Sequence, residues 1–438
     1  MRMACYLYGL LLSLLWLGLT PVVAHAQVAE WLKPELADGY VQVRKVAVDS
    51  DNNVYIIGNF RGTFHLGSKT FVADRSFDTF VTKYDAQGNN LWAHLIAGPE
   101  LTAGMDIAVD SNGNVYASGF FGDYVDISGV RLENNKRYVQ VDSYIAKYDT
   151  NGNLLWVKHL ASQQNDVEIA AIAVDEEDNL YSASAFGIEM DFGDVEITTA
   201  FSGEAVIVKS DPDGNYLWSR IITGTFPEAP TELQVSGDAL YVAGYFFGNA
   251  IFEGTELISA GDKDIFVARY DTDGTYRWAK RSGGPQEDLA RDMVTDANGN
   301  VFVTGSFRSD TLTFDSLSVA SRGSADGFLA KLDSAGTVLW LKSYGGQQDD
   351  HGFNVAVDSA GDLYLRADVA PGPAYFESHL DQGSKYRTVF ARYSNDGLPI
   401  WITAMQSVDG RSNSSALATG SGSRLYVAGG FENDLTLG

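Results

Sequence analysis

Cysteine is almost missing from this chain of 438 residues: the only one, Cys5, sits near the N-terminus. With Cys5 removed in a leader, the remainder can form neither disulfides nor cysteine-ligated metal centres, so stability has to come from packing. Basic residues are also scarce, 31 Lys and Arg against 57 Asp and Glu, a formal charge of −26. That balance argues against nucleic acid or an anionic membrane as a partner. Long apolar runs are lacking as well; the stretch from Leu10 to Leu19 is too short for an ordinary membrane span. It follows Arg2 and precedes Ala24-His25-Ala26, the layout of a secretory leader cleaved near Ala26. The expected organisation is a leader over residues 1–26 and one domain over 27–438, secreted or at the cell surface, with no membrane insertion.

What the chain does have is a repeat. Beyond the leader, tryptophans stand at Trp31, Trp92, Trp156, Trp218, Trp278, Trp340 and Trp401, at intervals of 61, 64, 62, 60, 62 and 61 residues. A spacing of this size suits one propeller blade with an added loop. Before each of the last six lies an Asp/Ser-x-x-Gly turn, with Gly88, Gly152, Gly214, Gly274, Gly336 and Gly397 at the position where a type I turn with a G1 bulge needs positive φ. A third strand is predicted to start 14 residues before each Trp, at Asp78, Asp142, Glu204, Asp264, Asp326 and Arg387. Upstream are two further strands joined by a tight polar turn, beginning with Lys45-Val46-Ala47-Val48-Asp49 and Asn53 to Gly58. Between the second strand and the third, 20 to 23 residues vary in sequence, as surface connections do. Six units are complete. Trp31 and the segment from Ala416 to Gly438 are halves of a seventh, predicting an all-β, seven-bladed β-propeller whose last blade combines an N-terminal outer strand with C-terminal inner strands.

The segments Asp110-Ser-Asn-Gly-Asn-Val-Tyr116, Asp264-Ile-Phe-Val-Ala-Arg-Tyr270 and Asp333-Ser-Ala-Gly-Thr-Val-Leu-Trp340 resemble the bacterial seven-bladed β-propeller repeat family known as SBBP. The resemblance runs from Trp31 to Gly438 and implies an exported propeller without an assigned reaction, often one module of a larger protein. The turn is also similar to the repeat of quinone-dependent propellers, but it is one residue shorter between Asp and Gly and lacks their vicinal cysteines. The sialidase Asp-box has different spacing again.

No catalytic constellation is evident: the chain has no Gly-x-Ser-x-Gly elbow, phosphate loop, dinucleotide fingerprint or His-x-His pair. Asp211-Pro-Asp213-Gly214 and Asp271-Thr-Asp273-Gly274 resemble the opening of calcium loops. The bidentate acid of an EF-hand is replaced by Ile222 and Ser282, which favours plain hairpin turns; no cofactor or metal ligand is assigned, with calcium left open. Asp38, Glu100, Asp166, Glu228, Asp288 and Asp349, with Asp409 a looser seventh, recur between the Trp strand and the next unit and are expected near the channel mouth, as turn caps or as a negative ring. Lys83, Lys147, Lys209, Arg269, Lys331 and Arg392 recur two residues before the turn and read as structural.

Functional sites break a repeat more often than they obey it, which directs attention to the variable stretches. Their aromatics Tyr124, Tyr138, Phe246, Phe247, Tyr375 and Tyr386 are the candidate contacts for protein or glycan. The expected function is an exported binding or structural module, monomeric or part of a longer polypeptide. Its rivals are a glycan-binding propeller and a hydrolase or lyase with a site at the channel mouth.

Overall fold

A computed structural model describes residues 3–11, 28–134, 141–162, 166–193, 195–199, 203–225, 229–407, 412–422, 424–432 and 435–437. Among the described residues every regular element is a β-strand, and the strands form six antiparallel sheets. The repeat is visible in any one of them. Asp288–Thr295 pairs with Val301–Phe307, that strand with Asp326–Leu332, and that in turn with the Trp strand Val338–Gly345. Five third strands begin at the predicted residues, as in Asp142–Tyr148, Glu204–Ser210 and Arg387–Tyr393, while the first starts earlier than the predicted Asp78, in Lys69–Tyr84, because it runs on from the variable stretch.

The variable stretches are more ordered than surface connections. In the second to sixth units each folds into a short hairpin that adds to the Trp strand of the preceding unit: Asn249–Phe252 and Thr255–Ile258 pair with each other, with Ile251 and Ala250 opposite Thr223 and Gly224. Alternate residues of this hairpin, Ala250 and Phe252, are fully buried. Four-residue strands carry too little alternation to be distinguished from loop by pattern alone.

The two chain ends meet in a nine-stranded sheet. Val28–Val48 is long enough to pair with two strands end to end: Val28 to Ala37 pair with Met3–Leu11, and Ala37 to Val48 pair with Val54–Leu66. Met3–Leu11 also pairs with Arg424–Glu432 and so stands between the strand bearing Trp31 and the C-terminal strands, where sequence reasoning expects direct juxtaposition. The physical reason is local. A sheet lacking its third strand has two open edges, and the apolar stretch from Ala4 to Leu11 satisfies both.

The first strand of each unit touches that of the next, and Ser412–Gly420 touches Val28–Val48. Apolar side chains fill the space between adjacent sheets; Tyr181, Ile207, Leu240, Val242, Phe246 and Phe266 form one such cluster. Each first strand also carries a bulge at the same place, between Val43 and Lys45, Gly104 and Asp106, Ile169 and Ala171, Pro230 and Glu232, Ala290 and Asp292, Gly352 and Asn354, and Asn413 and Ser415. A bulge interrupts the two-residue alternation and re-aims side chains out of the ladder.

Candidate functional site: a charged axial cavity

The repeated parts of each unit meet at the seams between sheets. Asp85 accepts bonds from the Gln87 and Asn89 amides at 3.0 and 2.7 Å, and Gly88 takes a φ of 77°. The carbonyl of the residue after the turn's first member faces the preceding unit. There the Trp indole and the strand's Lys or Arg both donate to it: Trp156 Nε1 at 3.1 Å and Lys147 Nζ at 3.0 Å to the Pro212 carbonyl, Trp218 and Lys209 at 3.3 and 3.1 Å to that of Thr272. Trp92, Trp278 and Trp340 repeat the contact with Thr150, Ser334 and Asn395. Lys147 also pairs with Asp110 at 3.3 Å and lies 4.6 Å over the Tyr116 ring. Asp211, a candidate calcium ligand, has its oxygens taken by the Asp213 and Asn215 amides and the Asn215 side chain.

The bulges do something else. They bring side chains from most of the units to a cavity of about 480 Å³, lined among others by Arg44, Lys45, Asp106, Glu232, Arg291 and Asp292. Lys45 of the first unit pairs with Glu232 of the fourth, and with Asp292 of the fifth at 3.1 Å. These carboxylates also brace the strands: Asp106 accepts from the Ile107 and Ile172 amides, and Asp292 from the Val355 amide, each at 2.8 Å. Burial alone would pull the Lys45 ammonium down, but Asp292, Glu232 and Asp106 outweigh it and hold its pKa well above the ordinary value. Burial pushes Glu232 well above the usual carboxylate range, and Lys45 offsets this only in part. Asp106 is raised for the same reason, against the pull of Lys45 and two amides.

On the Phe353 side the cavity is basic. The Arg366 and Arg291 guanidinium carbons lie 4.3 and 4.8 Å from the centre of the Phe353 ring. Arg366 is only 2% exposed and bonds both oxygens of Asp368 at 2.9 Å, while its Nε is left without a partner. Among the described residues Arg291 makes no hydrogen bond or ion pair. Arg44 has only a 3.3 Å contact with Met105 Sδ.

The residues singled out from sequence are elsewhere. Of the aromatics, Phe246 is fully buried in the core between sheets and has no surface to offer a ligand. Tyr124 is half-buried beneath Arg131, Phe247 is half-buried, and Tyr375 and Tyr386 are exposed at 43% and 52%. Tyr138, Glu228 and Asp409 lie outside the described residues, as does the predicted cleavage site. Asp38, Glu100 and Asp166 are exposed and Asp349 half-buried, whereas Asp288 is buried, accepting from the Gly284 amide and the Ser309 hydroxyl. None of them lines the axial cavity. Arg387, which replaces an acid, is buried and tied to Asp381 and the Ala370 carbonyl.

The axial cluster left a faint trace in the sequence. Lys45, Asp106, Ala171, Asp292 and Asn354 each stand four residues before the hairpin Asp, a position that changes from unit to unit and is polar in four of these five.

No family model matches the chain. An uncharacterised WD repeat-containing protein, L264, of Acanthamoeba polyphaga mimivirus is 25% identical over 61% of this chain and 18% of its own length. The repeated antiparallel sheets and this relative agree. The chain is a β-propeller-like repeat protein. The regulatory protein FlaEY of Caulobacter vibrioides is 22% identical over 86% of this chain and 42% of its own length. The chain thus spans less than half the length of either curated relative. The solved exotype rhamnogalacturonan lyase YesX aligns with 90% of this chain and 72% of its own at 12% identity, with a TM-score of 0.38.

Proposed function

We propose that this chain is an exported propeller of the SBBP kind, seven-bladed with its last blade assembled from both chain ends, and that it is a binding module whose ligand enters the axial cavity. One observation carries the reading. Seven first strands bulge at one shared register, yet the residues there differ from unit to unit, and the charged ones converge on one cavity. A structural demand common to all units would select one residue type; a ligand, which has no sevenfold symmetry, selects different ones. The export reading rests on the leader pattern.

The test is a thermal-shift screen of small metabolites against the full chain and against Ala170→Phe, which fills the cavity from one of the bulges. Hits are expected to raise the melting temperature of the wild type and to lose that effect in the variant. Hits that stabilise both equally would remove the axial site from consideration. A glycan-binding surface is the second reading, favoured by the exposure of Tyr375 and Tyr386; there Tyr375→Ala with Tyr386→Ala, and not Ala170→Phe, would abolish glycan-array signals. A hydrolase or lyase at the channel mouth has one supporting feature, the Glu232 carboxyl beside Lys45, which burial makes more reluctant to ionise.

A further inference from the structure

Resting on the axial reading, we infer that the cavity takes a small carboxylate-bearing ligand of sugar-acid size, its carboxylate held by Arg291 and Arg44.

The argument starts from which charges in the cavity are already used. Four bases, Arg44, Lys45, Arg291 and Arg366, and four acids, Asp106, Glu232, Asp292 and Asp368, line it. The acids are engaged: Asp106 by two backbone amides, Asp292 by Lys45 and the Val355 amide, Glu232 by Lys45, Asp368 by Arg366 and the Thr388 hydroxyl. The bases are not. Arg291 has no polar partner among the described residues, Arg44 has only a thioether sulfur, and Arg366 keeps a buried nitrogen unbonded. A guanidinium presents five donors and cannot escape its charge by deprotonation, so burying one without an anion is costly. Folding within the chain does not satisfy these donors, although acids are abundant and Glu287 and Asp368 are near enough to act on Arg291 electrostatically. An external anion with two coplanar oxygens fits the forked geometry of arginine.

Charge and size narrow the class. The four bases and four acids of the lining balance in formal charge, and the donors left over sit on Arg44 and Arg291, a match for one carboxylate ahead of a phosphate dianion. Gln42, Thr231 and Asn354 add uncharged donors and acceptors for hydroxyls, and about 480 Å³ is in the range of small-ligand pockets.

The experiment is isothermal titration of the full chain with D-glucuronate, D-glucose and inorganic phosphate, repeated on Arg291→Gln and Arg44→Gln. Neither arginine carries an internal ion pair, so both variants are expected to keep the wild-type melting temperature. The expected result is binding of glucuronate with glucose and phosphate at least about tenfold weaker, and a loss of about tenfold or more in either variant, the range of one charge-assisted hydrogen bond. Glucose binding as tightly as glucuronate, phosphate binding more tightly, or glucuronate binding untouched by both substitutions would each overturn the carboxylate assignment. If glucose or phosphate binds and Ala170→Phe abolishes it, the axial site stands while its ligand class falls. Absence of glucuronate binding also overturns the assignment, and the metabolite screen then decides the axial reading by itself.

Discussion

The seams between sheets and the axis of the molecule are built from the same repeated strands, yet they obey opposite rules. At the seams, Trp92, Trp156, Trp218, Trp278 and Trp340 make one contact five times over, with distances that span only 3.1 to 3.3 Å. On the axis, the equivalent residues are Lys45, Asp106, Ala171, Glu232, Asp292 and Asn354, and no two neighbouring units present the same one. These five seams solve the same problem: an indole and a cation must find an acceptor after leaving water, and the turn carbonyl of the next unit provides it, whereas the indole nitrogen of Trp401 is left without a partner. The axis is a single space shared by all units, where a residue from one unit has to complement those from the others. Repetition there would bring like charges together.

Removing the cross-cavity cation is expected to have the largest effect. Lys45→Met leaves Glu232 and Asp292, each nearly inaccessible, without their ammonium, at a cost of about 3–5 kcal/mol at neutral pH. The pH dependence distinguishes this from lost packing. Glu232 in the folded state has a raised pKa, so its protonated form stabilises fully below the unfolded value near 4.5, and that contribution is lost as pH rises through the folded value. Removing Lys45 raises the folded value further. The deficit of the variant should therefore be small at acid pH, where both proteins hold the proton, and grow as pH rises through the wild-type folded value, read from melting temperatures at successive pH values. A deficit of constant size would mean that the ammonium acts only as a space-filler.

Trp218→Ala comes next, at about 3 kcal/mol, the lower end for a large aromatic because Trp218 is only partly buried. It should lower the denaturation midpoint without altering ligand binding in the axial cavity. A loss of binding with unchanged stability would erase the division between seam and axis.

How much of this could be read beforehand follows the same division. The Trp strands, the glycine turns and the starts of the third strands were legible because the same chemistry returns in every unit at fixed spacing. The axial cluster was not. Its ion pairs join residues 187 and 247 positions apart, and the bulges break the alternation that would have predicted which way Lys45 or Arg291 faces. Seen singly, each charge passes for a tolerated substitution in an apolar strand. Arg366 is the clearest missed signal, an arginine in a second strand where Ile57, Ala183 and Thr304 hold the equivalent register. The pairing of Met3–Leu11 escaped because a leader pattern and an apolar β-strand draw on the same residues.

The finest test of the seam uses the turn glycines. Gly214 and Gly336 share a φ of 83°, a conformation costing about 1–2 kcal/mol for any residue with a Cβ. A Cβ at Gly214 would meet the Trp156 ring at 3.4 Å, ordinary contact, whereas at Gly336 it would meet Trp278 at 2.8 Å. Gly214→Ala is therefore expected to cost only the backbone strain. Gly336→Ala should cost more, since Trp278 has to move away from a ring position that its bond to the Ser334 carbonyl helps to hold. Equilibrium denaturation monitored by Trp fluorescence separates the two. Equal costs would show that backbone conformation alone selects the turn glycine; a larger cost at Gly336 shows that the indole of the preceding unit selects it too.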